Sequence, residues 1–376
     1  MESGYKDYIW QNPQWPHWKY DLKQLTNLLT QVYQAQGYLM GRLQHVGIHL
    51  RDHESLRVLT EDVLKTSEIE GEKLNPDSVR SSIARRLGID IGALAPSDRR
   101  IDGVVDMVLD ATQHYEKNLT ENRLFSWHTT LFPTGYSGLS KILVGVWRND
   151  ALGPMQVVSG PISRQKVHYE APPALLIPTE MEKFLHWFNV DQQDDPIIKA
   201  GLAHLWFVTL HPFDDGNGRI ARAIGDMALA KSDGSPQRFY SLLAQIGRDR
   251  KNYYELLEKT QKGTLEVTKW LSWFLKSILS AIQVAEVELS ETLLKSNFWQ
   301  HWSAIPMNER QIKLLNKLLD GFEGKLTSSK WALIAKCSPD TALRDINDLL
   351  ERGVLVKSES RGRSTSYELQ MNLGEQ

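Results

Sequence analysis

The chain has 376 residues, 41% of them apolar and 24% charged, which suits two or three cored domains and excludes a disordered or fibrous composition. Its net charge of −2 gives no general affinity for nucleic acid or acidic membrane. A single cysteine, Cys337, excludes an internal disulfide or a cysteine-rich zinc site and suits a reducing cytoplasm.

No run of about 18 apolar residues predicts a membrane span. The first twenty residues lack the basic start and apolar stretch of a signal peptide. A cytoplasmic protein without a membrane partner is therefore expected. Strand-like runs are few, so the fold class reads as mainly α.

Trp10, Trp15 and Trp18 lie among Pro13 and Pro16, which bar a regular helix and predict an aromatic arm pinned to a helical body. Helical periodicity covers residues 22–50 and again 53–70, where Gly71 and Asn75-Pro76 end it. A further helix covers 76–87, and "GALAPSDRR" (92–100) reads as a linker. Helix resumes at Ile101 and runs past Tyr115. Three short β-type runs follow, "ILVGVWR", "MQVVSG" and "KVHYEAPP", separated by turn formers and read as an ordinary structural hairpin or an extended flap. Helices return at 178–190, 196–209, 216–231, from about Asp249, and over 265–295. "NERQIKLLNKLL", "TSSKWALIAKCS" and "PDTALRDINDLLERG" then give three helices, and "VLVKS" and "TSYEL" flank a turn, the pattern of a winged helix. Domain boundaries are expected at 1–100, 101–295 and 296–376.

"HPFDDGNGRIAR" (211–222) falls between two apolar helices. A glycine-rich helix start offers free N–H groups and the positive end of the dipole, which is an anion site suited to phosphate. Gly216 and Gly218 let the backbone approach closely, and Asn217 adds a side-chain donor. Arg219 and Arg222 lie three apart and fit a polyphosphate. Asp215 sits where a carboxylate could hold Mg²⁺ against phosphates, and His211 can accept a proton near neutral pH. Gly-Lys-Ser/Thr is absent, so the loop is not a Walker motif. Taken singly, each residue also has a structural reading: Arg222 pairing with Asp226, the glycines serving only the turn.

This stretch matches H-x-F-x-[D/E]-G-N-G-R-x-x-R at every defined position and resembles the signature of Fic-domain proteins. The resemblance implies a helical Fic core and a protein adenylyltransferase that moves AMP from ATP to a hydroxyl side chain of a target protein. It makes His211 the base and Asp215 the Mg²⁺ ligand. It places the nucleotide on Glu70, His211, Gly216, Asn217, Gly218, Arg219, Ile220, Ala221 and Arg222, with Phe213 packing the loop. Tyr253 and Tyr254 resemble positions near the base, Tyr254 being assigned to the nucleotide, with core packing as the other reading. The flap would hold the target by strand addition.

"TSEIEG" (66–71) resembles the family's inhibitory motif through Thr66, Glu70 and Gly71. The resemblance implies that Glu70 pairs with Arg222 and keeps it from the γ-phosphate, and that the same glutamate can assist AMP removal. The whole pattern is similar to full-length bacterial Fic proteins, some of which form homodimers. For the tail two readings stay open: duplex DNA, which would make the chain a DNA-binding regulator whose Fic core senses nucleotide, or a docking or dimerisation partner. Asp340, Asp345, Asp348 and Glu351 against Arg344 and Arg352 suit DNA poorly, and Arg361 and Arg363 offer a small basic spot. Transfer of a different nucleotide is a further alternative.

Overall fold

A computed structural model describes residues 8–44, 46–161, 164–190, 193–322, 324–358 and 365–371. The chain is mainly α, with three two-stranded antiparallel sheets among the described residues. It divides into two compact units, Met1–Ala285 and Glu286–Gln376. The segments 1–100 and 101–285 thus share the first unit.

The arm at residues 8–20 is irregular. Trp15 and Trp18 pack edge-on against Trp206, and Trp15 Nε1 donates to Glu180. Helix α1 is Leu22–Gln44 and α2 is Ile48–Ile69, so the break falls at Gly47 rather than beyond Leu50. Leu43, Val46 and Leu50 keep the three- and four-residue spacing of a helical face across that break and hide it. Leu56, Leu59 and Val63 form the buried stripe of α2, with Asp62 and Thr66 buried beside it. Helix α3 is Pro76–Leu87; Asn75 Oδ1 caps it by accepting from Ser78 N, and Gly88 in the left-handed region stops it. Helix α4, Arg99–Gln113, is capped by Asp98 and ends short of Tyr115.

Helix α5, Glu121–Leu131, has no counterpart in the sequence reading. Thr120 caps it, and Leu124, Trp127 and Leu131 give it a buried face. Strands β1 (Tyr136–Ser137) and β2 (Ser140–Lys141) form a short hairpin, and β3 (Gln156–Ser159) pairs with β4 (Lys166–Glu170) as the flap. "ILVGVWR", expected as a strand, is irregular. Its N–H groups have other partners: Leu143 donates to Asp214 Oδ2, Gly145 to His128 Nδ1 and Arg148 to Pro212 O. It therefore wraps the 211–215 loop instead of joining a ladder.

Helix α6 is Ile177–Val190, α7 is Pro196–Leu210 and α8 is Asn217–Asp233. Ile197, Ile198, Leu202, Leu205, Phe207 and Leu210 of α7 are fully buried, each contributing about 1.5–3 kcal/mol on transfer from water. That makes α7 the axle of the unit, and α8 packs along it. Helix α9 (Leu242–Arg248), absent from the sequence reading, precedes α10 (Arg250–Gln261). His168 of the flap reaches α10, with Nδ1 2.6 Å from Glu258 and Nε2 2.5 Å from Ser159 Oγ. Helix α11, Thr268–His301, contains the boundary between the units.

In the second unit α12 (Glu309–Leu319) starts in an Asn308–Gln311 capping box. Helices α13 (Ser328–Ala335) and α14 (Pro339–Glu351) meet at Lys336, and β5 (Leu355–Lys357) pairs antiparallel with β6 (Tyr367–Leu369). Phe298, Leu314, Trp331, Ile346, Leu349 and Val354 form its core. Arg361 and Arg363 lie outside the described residues.

Candidate functional site

The loop from α7 to α8 begins at His211, which caps α7 in the left-handed region at φ 49. That conformation is uncommon for a residue with a Cβ, and three contacts hold it. His211 N donates to Phe207 O, its Nδ1 lies 2.8 Å from Val208 O, and its carbonyl accepts from Arg148 Nε at 2.7 Å. A carbonyl can only accept, so Nδ1 carries the hydrogen and the neutral ring leaves Nε2 with its lone pair. Burial pushes the His211 imidazole below its ordinary range, so the ring is neutral at pH 7. An imidazole held this way can take a proton at Nε2.

Two residues the sequence reading did not single out hold the loop. Arg148 is 3% exposed; besides His211 O it reaches Pro172 O and Asp150. His128, on α5, stacks on Phe213 at 4.2 Å, and burial pushes its imidazole down to about 4. Phe213 is fully buried among Phe125, His128, Trp147 and Phe207. Their signals in sequence are faint: a lone histidine on a short helix, and an arginine in a run that looks like a strand.

Gly216, at φ 79, turns the chain into α8, and a Cβ there would meet the Phe132 ring at 2.9 Å. The N–H groups of Asn217, Gly218 and Arg219 open the helix without i−4 partners inside it, whereas Ile220 N already donates to Gly216 O. The side chains of Ile220 and Ala221 are fully buried in the core. The Asn217 amide, expected as a phosphate donor, brackets Phe213: Oδ1 accepts from Phe213 N and Nδ2 donates to Phe213 O. What Asn217 offers an anion is its backbone N–H. Asp215 stands at the mouth, its carboxylate accepting from Ser137 Oγ and from Gly216 N. Among the described residues no group of three or more His, Cys, Asp or Glu could hold a metal ion. A cation here would rest on Asp215 alone and on oxygens brought by a ligand, a pattern Mg²⁺ accepts with phosphates.

The C-terminal end of α2 closes over this helix entrance. Arg222 is 1% exposed; its Nε donates to Thr66 Oγ1 at 2.9 Å, and its Nη2 to Thr66 O at 3.0 Å and Glu70 Oε1 at 2.7 Å. Its Nη1 is buried without a partner among the described residues. A Cβ on Gly218 would collide with Glu70 Oε1, so that carboxylate lies directly on the helix start. It occupies the place an anion would take at the dipole. Gly71, at φ 87, ends the helix beside it. Glu72, which the sequence reading passed over, reaches Arg219 Nη1 at 3.5 Å and Arg100 at 3.7 Å. Arg219 also lies over the Phe132 ring, with its Nε unpaired among the described residues. Arg222 does not pair with Asp226, which faces Arg238 instead. Tyr253 is core, its hydroxyl 2.9 Å from His204 Nε2. Tyr254 is 37% exposed, and its hydroxyl donates to Ile69 O beside Glu70.

Residues 118–229 match the Fic/DOC family, and residues 8–89 match a domain of unknown function, DUF4172. Residues 118–229 form a Fic domain. The Fic domain holds His211, the glycine turn and both arginines, whereas Glu70 lies in the other matched stretch. A probable protein adenylyltransferase of Aquifex aeolicus is 27% identical over 104 residues, 28% of this chain and 30% of that protein. The protein adenylyltransferase Fic of Drosophila grimshawi is 32% identical over 87 residues, 23% of this chain and 17% of that protein. The matches thus span less than a third of these relatives. A Fic family protein of Desulfovibrio desulfuricans shares the fold at a TM-score of 0.52 and 20% identity, covering 92% of this chain and 95% of that one. A Fic domain containing signaling protein of Bacteroides thetaiotaomicron gives 0.51 at 19% identity, over 69% of this chain and 96% of that one. These two proteins therefore share the mainly α fold over most of the chain. No described helix is long and apolar enough to cross a membrane.

Proposed function

We propose that this chain is a protein adenylyltransferase, transferring AMP from ATP to a serine, threonine or tyrosine hydroxyl of a target protein, and that Glu70 holds it at rest. The observation that carries the reading is the joint geometry at α8: Glu70 seated on the helix start and on Arg222, with the His211 base at the other side of the same loop. The names of the relatives that the Fic domain matches support it.

In the proposed reaction the target hydroxyl oxygen bonds to the α-phosphorus of ATP. The bond from that phosphorus to the bridging oxygen breaks, pyrophosphate leaves, and the hydroxyl proton goes to His211 Nε2. The free N–H groups of Asn217, Gly218 and Arg219 take the phosphate oxygens, and Arg219 and Arg222 take the outer phosphates. Asp215 would hold Mg²⁺, which would neutralise phosphate charge. Glu70 competes with the γ-phosphate for Arg222, so productive ATP binding requires it to move. The same reading gives the displaced carboxylate a second part, assisting AMP removal from a modified target.

The flap presents the target hydroxyl by strand addition at β3. The second unit is read as a winged helix that docks a protein or a second copy of the chain. Duplex DNA suits it less, because Arg310 is taken up by Asp345 and Arg352 by Asp348. The test is mass spectrometry of the Glu70→Gly chain incubated with ATP, Mg²⁺ and cell lysate. An adduct of AMP on a hydroxyl side chain is expected. Adducts only from another nucleotide triphosphate would replace ATP in the scheme, and no adduct from any would overturn it.

A further inference from the structure

His128 is fully buried, and both of its ring nitrogens are spent on backbone groups of the site wall. Gly145 N donates to Nδ1 at 3.1 Å, so Nδ1 bears no hydrogen. The hydrogen is then on Nε2, which lies 3.2 Å from Asp215 O and donates to it. One ring thus joins the 142–148 segment to the loop that carries His211 and Asp215.

The peptide that follows Asp215 is trans and planar, so its N–H points away from its C=O. Drawing Asp215 O toward His128 aims the Gly216 N–H to the opposite side. There it meets the Asp215 carboxylate through Oδ1, while Ser137 Oγ donates to Oδ2. A hydrophobic ring of the same shape would preserve the stack on Phe213 but would release this peptide.

We propose that His128 is a positioning residue, which by fixing the Asp215–Gly216 peptide aims the Gly216 N–H at the Asp215 carboxylate and so sets that carboxylate for a metal-bound phosphate. The phosphate part of this inference rests on the adenylyl-transfer reading. It differs from a core-filling role in what it predicts. Core filling needs the ring and its stack; positioning needs the donor at Nε2 and acts on the metal-linked part of nucleotide binding.

The test is ATP titration by calorimetry in the Glu70→Gly background, with Mg²⁺ and with EDTA. His128→Phe keeps the stack and loses the donor. It should weaken ATP binding with Mg²⁺ on the order of tenfold, as for the loss of one buried hydrogen bond, and binding in EDTA less than about twofold. His128→Gln, which restores an amide N–H near Nε2, should recover most of the loss. Equal weakening in both conditions, or parental binding by His128→Phe, would overturn the proposal. Should His128→Phe not fold, nitrogen NMR of His128 in the unmodified chain decides: the Nε2–H tautomer is expected, and the Nδ1–H tautomer would overturn it. If the parent binds no ATP at all, the adenylyl-transfer reading fails, and with it the phosphate part of this proposal, while the tautomer still judges the hold on the loop.

Discussion

Replacing Glu70 with glycine removes the carboxylate that sits on Arg222 and on the start of α8. The contact is a charge-assisted hydrogen bond of 2.7 Å between a guanidinium 1% exposed and a carboxylate 32% exposed. Bonds of this kind contribute about 1.5–3 kcal/mol. A γ-phosphate must displace the carboxylate before it can use Arg222, so that free energy is subtracted from productive binding. At about 1.4 kcal/mol per factor of ten, Glu70→Gly should raise AMP transfer roughly 10- to 150-fold. Arg222 keeps its two bonds to Thr66 in the variant, which holds the guanidinium in place for the phosphate. Glu70→Gln retains the bulk over Gly218 and loses the charge, so its gain should be smaller. The assay is incorporation of label from α-labelled ATP into protein, against ATP affinity measured separately. A rise under about threefold for Glu70→Gly, with ATP affinity unchanged, would refute the latch.

His211→Ala should abolish transfer while ATP binding stays within a fewfold of its parent, read by the same label and by calorimetry. Because burial lowers the His211 pKa, the base stays neutral below the ordinary 6.5, and the acid limb of kcat/KM should fall below that value. The same shift means that His211 favours the folded chain above about pH 6.5 and loses that contribution as pH falls through its lower folded value, visible as a drop in Tm. Glu72→Ala should raise transfer only up to about fivefold, since its pair with Arg219 is long and a third exposed, contributing at most about 1 kcal/mol. Gly216→Ala should cost about 1–3 kcal/mol of stability by thermal denaturation, because it puts a side chain at φ 79 and a Cβ against Phe132.

The residues that meet at α8 were legible because their chemistry is crowded into two short stretches. His211, the glycine turn and the arginines fall within one loop and one helix turn, and Thr66 and Glu70 share a helix face. The partners that hold them were not. His128 and Arg148 act on backbone carbonyls and N–H groups, and no side-chain pattern in sequence announces such contacts. Glu72 reads as an ordinary solvated glutamate until the fold sets it beside Arg219 and Arg100. The Asn217 amide shows the converse: its donor was legible, but its destination depends on the position of Phe213. The run at 142–148 misled because a short apolar run rich in β-branched and aromatic residues signals an extended chain, not which acceptor its N–H groups will find. Helix α5 escaped because its buried face includes a histidine and its length is only three turns.

The central claim is that the start of α8 grips a triphosphate beside a base at His211. A crystal structure of Glu70→Gly with ATP and Mg²⁺ tests it most directly. The γ-phosphate should lie on Arg222, and the α-phosphorus should stand open to a hydroxyl hydrogen-bonded to His211 Nε2. A nucleotide bound elsewhere, or with its phosphates turned away from both residues, would contradict the account.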